Sequence, residues 1–296
     1  MALANDFTYV KAADLDAALA LKAQHGDQAR FLAGGTDLVN NMNAELLSPE
    51  VVIDLKGIAE LRTLRHNSHG LYLGALVTFS QLLDSPIIAS HYPLLWEAAS
   101  EVASIPIRNR ATMVGNLCSC VPCMDSAPAL VVYEAVAVLR GATGERRVPI
   151  IDFATGPRRT QLGPDEIFLG IEVPLPPDPC GVSYVKLKRY QGEDLSQAGV
   201  AVMVSDGPTY RVAFGSVGPR PIRAHAIEAH LAGKALTPEV LTEAKALVAG
   251  AIQPISDIRA SKAYRQHMCE IMLGRALEAA AARYAGEGPP LGTRLA

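Results

Sequence analysis

Between Leu175 and Cys180 the chain carries Pro176, Pro177 and Pro179. Neither a helix interior nor a central strand tolerates prolines at that density. The break separates two stretches with different grammar. Before it, short apolar runs alternate with helix signals; after it, three strand-like runs follow one another and helices close the chain. This order predicts an α+β protein of two domains, residues 1–176 and 177–285. The first divides into subdomains of about 1–56 and 57–176, and residues 286–296 are expected to form a flexible tail.

Local signals fill in the elements. A strand near Phe7–Val10 precedes Asp14, a helix N-cap before Leu15, Ala18, Leu19 and Lys22 at helical spacing, and Gly26 ends that helix. Arg30–Ala33 reads as a buried strand running into Gly34-Gly35-Thr36-Asp37, and Val51–Leu55 as another. Further on come a strand at Gly70–Ala75, a capping box at Thr78–Gln81 and a helix over Pro93–Val102 carrying Trp96. Ala135–Leu139 and Arg147–Ile151 flank a hairpin turn, and Glu166–Val173 is one more strand. In the second domain Ser183–Arg189, Gly199–Ser205 and Tyr210–Val217 predict a three-stranded antiparallel sheet, turning at Asp206-Gly207-Pro208. Two helices follow, one capped by Thr237 with Pro238 in its first turn, the other over Ser261–Tyr284.

Composition removes several classes. Hydrophobic residues are 49% and charged residues 19% of the 296, enough apolar material for a core and too little charge for a disordered chain. A net charge of -3 gives no basic stripe for nucleic acid. The longest apolar stretch, Ala127–Leu139, is broken by Pro128, Tyr133 and Glu134, so no membrane span is expected. The N-terminus shows no secretory pattern. Five cysteines, three of them at Cys118, Cys120 and Cys123, make a poor disulfide framework, and a reducing, cytoplasmic location is expected.

Two loops could carry chemistry. Ala33-Gly34-Gly35-Thr36-Asp37-Leu38 lies between a strand and a helix start, where exposed N–H groups suit a pyrophosphate, although a tight structural turn explains the paired glycines as well. Arg110-Ala111-Thr112-Met113-Val114-Gly115-Asn116 offers backbone and side-chain donors for phosphate or ribose, and equally fits a plain turn. No Rossmann Gly-x-Gly-x-x-Gly and no P-loop is present, and the seven histidines stand singly.

Taken together, the two loops are specific. Ala-Gly-Gly-Thr-Asp-Leu, then Arg108-Asn109-Arg110-Ala111-Thr112 through Gly115-Asn116-Leu117, with Pro122, Asp125 and Pro128-Ala129-Leu130 beyond, resembles the FAD-binding medium subunit of molybdenum hydroxylases. Tyr184–Arg189, Asp194, Gly199–Val202, Val212–Arg223 and Ile255–Ser261 are similar to that family's later signatures, and the likeness runs from about Phe7 to Arg283. The resemblance implies a two-subdomain FAD-binding fold of the vanillyl-alcohol-oxidase type with a smaller α+β domain beside it. It implies that Leu32, Ala33, Gly34, Gly35, Thr36, Asp37 and Leu38 wrap the pyrophosphate of FAD. Thr112, Gly115, Asn116, Cys118, Ser119 and Asp125 would hold the remaining groups, with Leu169 near the adenine or ring system and Lys186 approaching the flavin. It further implies electron transfer rather than side-chain acid–base catalysis, with 2Fe-2S clusters on a small partner, a molybdenum cofactor on a large one, and a dimer of heterotrimers.

Two departures stand out. Val114 occupies a position where the family usually has glycine, so its Cβ either pushes the loop outward or is absorbed locally. Cys118, Cys120 and Cys123 replace small residues; they either pack around the loop or contribute to an Fe–S cluster, as in a subunit similar to that of 4-hydroxybenzoyl-CoA reductase. A self-sufficient FAD-dependent oxidoreductase is the alternative function, and a chain that has lost FAD a third.

Overall fold

The computed structural model describes residues 5–190 and 192–295. Its first unit is a three-stranded parallel sheet in which Val51–Asp54 lies between Thr8–Lys11 and Ala29–Leu32. The central strand is buried throughout, as a parallel strand covered on both faces should be. Helix Leu15–His25 makes the first crossover; Asp14 caps it by accepting the Ala17 N–H at 2.8 Å, and the Gly26 N–H closes its far end on Lys22. The loop at 33–37 leaves the carboxyl end of Ala29–Leu32, the edge of a parallel sheet where ligands are met.

The second unit is a five-stranded antiparallel sheet ordered Leu64–Asn67, Gly70–Gly74, Ile167–Val173, Val136–Gly141, Gly144–Pro149. Helices Phe79–Leu83, Pro86–His91, Pro93–Ser100, Met113–Ser119 and Ser126–Val132 bury apolar side chains in the same core. The Thr78–Gln81 capping box forms as the sequence predicts. The central strand Ile167–Val173 is bulged at Leu169: Phe168 pairs with Leu139 and Gly170 with Val138, so Leu169 has no partner across that pair. Its carbonyl accepts the Ala75 N–H at 2.9 Å.

Beyond the prolines, Cys180–Leu187, Ala198–Ser205 and Thr209–Gly215 pair antiparallel as expected, and a fourth strand, Ile222–Arg223, adds to the edge. That strand is two residues long and follows Pro219 and Pro221, so it carries no periodic signal. A helix over His225–Leu231, also unread in the sequence, buries Ile227 and Leu231. The sheet is a shared wall. Val182, Tyr184, Ala201, Met203 and Ala213 face the first core, while Val185, Val200, Val202, Val212 and Phe214 face a second core under helix Lys262–Tyr284. Cys269, Met272, Leu273, Ala276, Leu277 and Ala280 form that helix's buried stripe. Among the described residues no helix is long and apolar enough to cross a membrane.

The stretch after Gly286, expected from sequence to be a flexible tail, makes several contacts. Arg283 donates to the Pro289 and Pro290 carbonyls at 2.9 and 3.0 Å, and the Gly292 N–H reaches Glu97 at 3.1 Å. Gly292 also stands against the Trp96 ring, and the carbonyl of Leu295 accepts from Arg275 at 2.8 Å.

Candidate functional site

The two glycine-bearing loops meet. A Cβ built on Gly34 would lie 2.1 Å from the Arg110 carbonyl oxygen and 3.1 Å from the Ala111 Cα, so only glycine lets the backbones touch. Gly35 follows with φ +79°, a conformation that disfavours side chains. A little further on, the Ser119 hydroxyl donates to the Asp37 carboxylate, tying the loops a second time. Arg110 Nε also approaches the Gly34 carbonyl at 3.4 Å. The second loop is anchored to the helical layer: Phe79 N–H donates to the Ala111 carbonyl at 3.0 Å and Thr78 bridges Thr112.

The loops are rich in unused donors. Among the described residues, the N–H groups of Gly34, Gly35, Thr36 and Asp37 have no protein acceptor, nor do those of Met113 and Val114 at the first turn of helix Met113–Ser119. Leu32, Ala33 and Leu38 flank them half-buried. Thr112 caps the helix by accepting the Gly115 N–H at 2.9 Å. Asn116 accepts the buried Ser126 hydroxyl at 2.6 Å, which orients its amide and leaves its NH₂ group free. Val114 does not push outward; its side chain is buried in the first core, and the backbone keeps its helical course.

Behind the second loop lies a buried charged cluster spanning both domains. Asp125, just before helix Ser126–Val132, accepts Lys186 at 2.8 Å and the Tyr184 hydroxyl at 3.1 Å. The Lys186 ammonium, its side chain 1% exposed, also donates to the Glu101 carbonyl at 2.8 Å, and Lys188 pairs with the Glu101 carboxylate at 2.7 Å. Burial pushes the Asp125 carboxyl up from its usual range, and the ammonium of Lys186 with the Tyr184 hydroxyl pulls it back. Burial, reinforced by the Asp125 charge, holds the Tyr184 hydroxyl well above the ordinary tyrosine range. Leu169, buried at its bulge, belongs to the first hydrophobic core.

The three clustered cysteines diverge. Cys118 is exposed, Cys123 partly covered and Cys120 buried. Cys120 adopts a left-handed conformation that ends helix Met113–Ser119, and its thiol reaches the carbonyls of Arg159 and Gly156 at 3.2 and 3.4 Å. Burial raises the Cys120 and Cys123 thiols, which disfavours the thiolate a metal needs. Among the described residues no three His, Cys, Asp or Glu side chains gather to hold a metal ion.

The sequence names Asp125 and Lys186 as cofactor-binding candidates, and the structure pairs them; it does not name Tyr184, Glu97 or Glu101 as their neighbours. The signal for Tyr184 was the alternation Tyr184, Lys186, Lys188, which places three polar-tipped side chains on one strand face. Nothing in the sequence pairs that face with Glu97 and Glu101.

Comparison with known proteins identifies the fold as a flavin-binding domain with an attached α+β domain. Residues 5–176 match the family model described as the FAD binding domain in molybdopterin dehydrogenase, and residues 182–280 the CO dehydrogenase flavoprotein C-terminal domain. The chain is 34% identical over 282 residues to the carbon monoxide dehydrogenase medium chain of Hydrogenophaga pseudoflava, covering 94% of this chain and 98% of that one. It is 33% identical over 286 residues to the xanthine dehydrogenase FAD-binding subunit of Escherichia coli O157:H7, covering 95% and 98%. Among solved structures, the carbon monoxide dehydrogenase of Hydrogenophaga pseudoflava lacking the Mo-pyranopterin moiety superposes with a TM-score of 0.91 at 36% identity, covering 96% of this chain and 99% of that one. Quinoline 2-oxidoreductase from Pseudomonas putida 86 gives 0.90 at 26%, with the same coverage. The chain belongs to the FAD-binding medium-subunit family of the molybdenum hydroxylases, and it is an oxidoreductase subunit whose cofactor is FAD.

Proposed function

We propose that this chain is the electron-transfer subunit of a molybdenum hydroxylase complex, receiving electrons from 2Fe-2S clusters on a small partner and delivering them to an external acceptor. The substrate is oxidised at a molybdenum cofactor on a large partner, and the complex is a dimer of heterotrimers. Bound FAD supplies the redox chemistry; the protein supplies its seat, its orientation and the field around it.

The observation that carries this reading is the contact of Gly34 with the Arg110 carbonyl, which brings two donor-rich loops to one place. Leu32 to Leu38 would wrap the pyrophosphate, and the N–H groups of Gly34, Gly35, Thr36 and Asp37, without a protein acceptor among the described residues, would be available to its oxygens. Thr112, Gly115, Asn116, Cys118 and Ser119 line the remaining phosphate, ribitol and ribose, the Asn116 amide being oriented by Ser126. Leu169 supports the adenine or ring system from its bulge. Asp125, held by Lys186 and Tyr184, would add a polar contact to the flavin, and Lys186, its charge largely balanced by Asp125, would approach the flavin from the second domain.

The Asp125–Lys186 pair is buried and internally satisfied, which supports electron transfer over a self-sufficient enzyme with its own acid and base. All five cysteines are free thiols, in keeping with a reducing cytoplasmic location. The test is reconstitution. The purified chain takes up FAD and shows a flavin spectrum, but dehydrogenase turnover appears only when both partner subunits are added. Turnover by the isolated chain contradicts the proposal.

A further inference from the structure

Strand Cys180–Leu187 is an edge strand, paired on one side only, with Ala198–Ser205. An unpaired edge leaves alternate N–H and C=O groups without ladder partners. Here the Tyr184 N–H donates to the Glu97 carboxylate at 2.8 Å and the Val182 carbonyl accepts Arg283 at 2.6 Å. Glu97 and Arg283 are themselves paired at 2.8 Å. The ion pair therefore stands in for a missing neighbouring strand, its carboxylate meeting the edge donor and its guanidinium the edge acceptor.

Glu97 is 4% exposed and has both oxygens engaged: one by Tyr184, the other by Arg283 and the Gly292 N–H. A single carboxylate thus joins its own helix Pro93–Ser100 in the first domain to the edge strand, the last helix and the terminal stretch. Four residues later Glu101 takes Lys186 on its carbonyl and Lys188 on its carboxylate. Four helical residues advance about 6 Å. Two strand residues advance about 6.6 Å. The spacing of Glu97 and Glu101 therefore matches that of Tyr184 and Lys186, and the two elements meet in one register. A slip by one strand period would carry Lys186 about 6.6 Å away from Asp125.

From this geometry we infer that Glu97, anchored by Arg283, is a positioning residue: it sets the register of the second domain against the first and thereby seats Lys186 and Asp125 beside the flavin. The inference rests on the FAD reading above. Glu97 itself need not touch the cofactor; it acts through the Tyr184 backbone, whose side chain reaches Asp125 from the same strand position.

The test uses the full chain as wild type, Glu97→Ala, Glu97→Gln and Arg283→Ala. Two quantities are read: acylation of Lys186 in the flavin-free protein, mapped by mass spectrometry against the exposed Lys234, and the dissociation constant for FAD. Removing Glu97 raises Lys186 labelling and weakens FAD binding, each by about tenfold or more, with Lys234 unchanged. Glu97→Gln keeps an acceptor for the Tyr184 N–H and restores most of both. Arg283→Ala leaves the carboxylate in place but unanchored and gives an intermediate change, which keeps the test decisive if the Glu97→Ala protein does not fold. Variants that melt lower yet keep wild-type labelling and affinity reduce Glu97 to general stability and overturn the inference. A wild-type chain that takes up no FAD refutes the flavin reading instead, and it does so before any variant is compared.

Discussion

The paired loops and the domain junction use polar groups in opposite ways. At the loops, the N–H groups of six residues have no protein acceptor among the described residues, and the contacts between the loops are few: Gly34 against the Arg110 carbonyl, Arg110 Nε on the Gly34 carbonyl, a serine on an aspartate. At the junction Glu97, Asp125 and Lys186 are buried and each has at least two partners. Unused donors cost little where water can reach them and are available to a ligand; the same groups unpaired at the junction would cost the protein its fold. The difference separates a surface built to receive something from one built to hold the receiver still.

The largest effect that could break this contrast is at the junction. Lys186→Met leaves the Asp125 carboxylate buried beside a hydroxyl alone, and unfolding by urea should show a loss of about 3–5 kcal/mol. The double change with Asp125→Asn should recover most of it, since no charge is then stranded. If Lys186→Met is as stable as wild type, the junction is not the rigid partner described here.

Next in size is the loop contact. Gly34→Val puts a side chain into the Arg110 carbonyl, and the loops must part. FAD affinity should fall by about 100-fold or more, equivalent to about 2.7 kcal/mol, while the second domain keeps its cooperative unfolding. Collapse of both domains together would instead make the loops part of the scaffold.

Acid sharpens the contrast within the second domain. The Arg189 guanidinium beside Asp194 holds that carboxyl at about 2. Burial pushes Asp257 up, but the Arg259 and Ala260 N–H groups and the Arg265 guanidinium overcome it and hold it at about 2 as well. Both values are depressed from the ordinary 3.8, so their stabilisation is complete above about pH 4 and is lost as the pH falls toward 2. Burial raises Asp125 rather than lowering it, so it runs the other way and adds nothing to this acid loss. Denaturant titrations from pH 5 to 2 on Asp194→Asn and Asp257→Asn should show a shallower acid slope than wild type.

The smallest effect belongs to the loop rim. Ser119→Ala removes one exposed bond to Asp37 and should change stability by only about 0.5 kcal/mol, with a several-fold loss of FAD affinity. A change in stability as large as that of Lys186→Met would erase the distinction between the two regions.

The same distinction explains what the sequence disclosed. The loops were legible because their chemistry is local: glycines in series, a threonine cap three residues before the N–H it accepts, an asparagine beside it. The strands of the second domain's sheet were legible as strand-like apolar runs in series. The junction was not, because Glu97 meets partners 87 and 195 positions away, and no periodicity or turn rule connects them. The contacts of the terminal stretch were hidden for the same reason. Its glycines and prolines look like a free end, and only the three-dimensional structure places Gly292 on Trp96 and Glu97. The strand Ile222–Arg223 was too short for any pattern. Val114 could be weighed from sequence only as a departure; its burial shows that the loop absorbs the side chain by turning it inward.

The central claim is that two turns distant in the chain close on a single FAD, and calorimetric titration of the flavin-free protein with FAD tests it most directly, with Gly35→Val alongside wild type. The account predicts saturable uptake of one FAD per wild-type chain and none measurable by the variant, with unfolding of the second domain unchanged. Full uptake by Gly35→Val would contradict it.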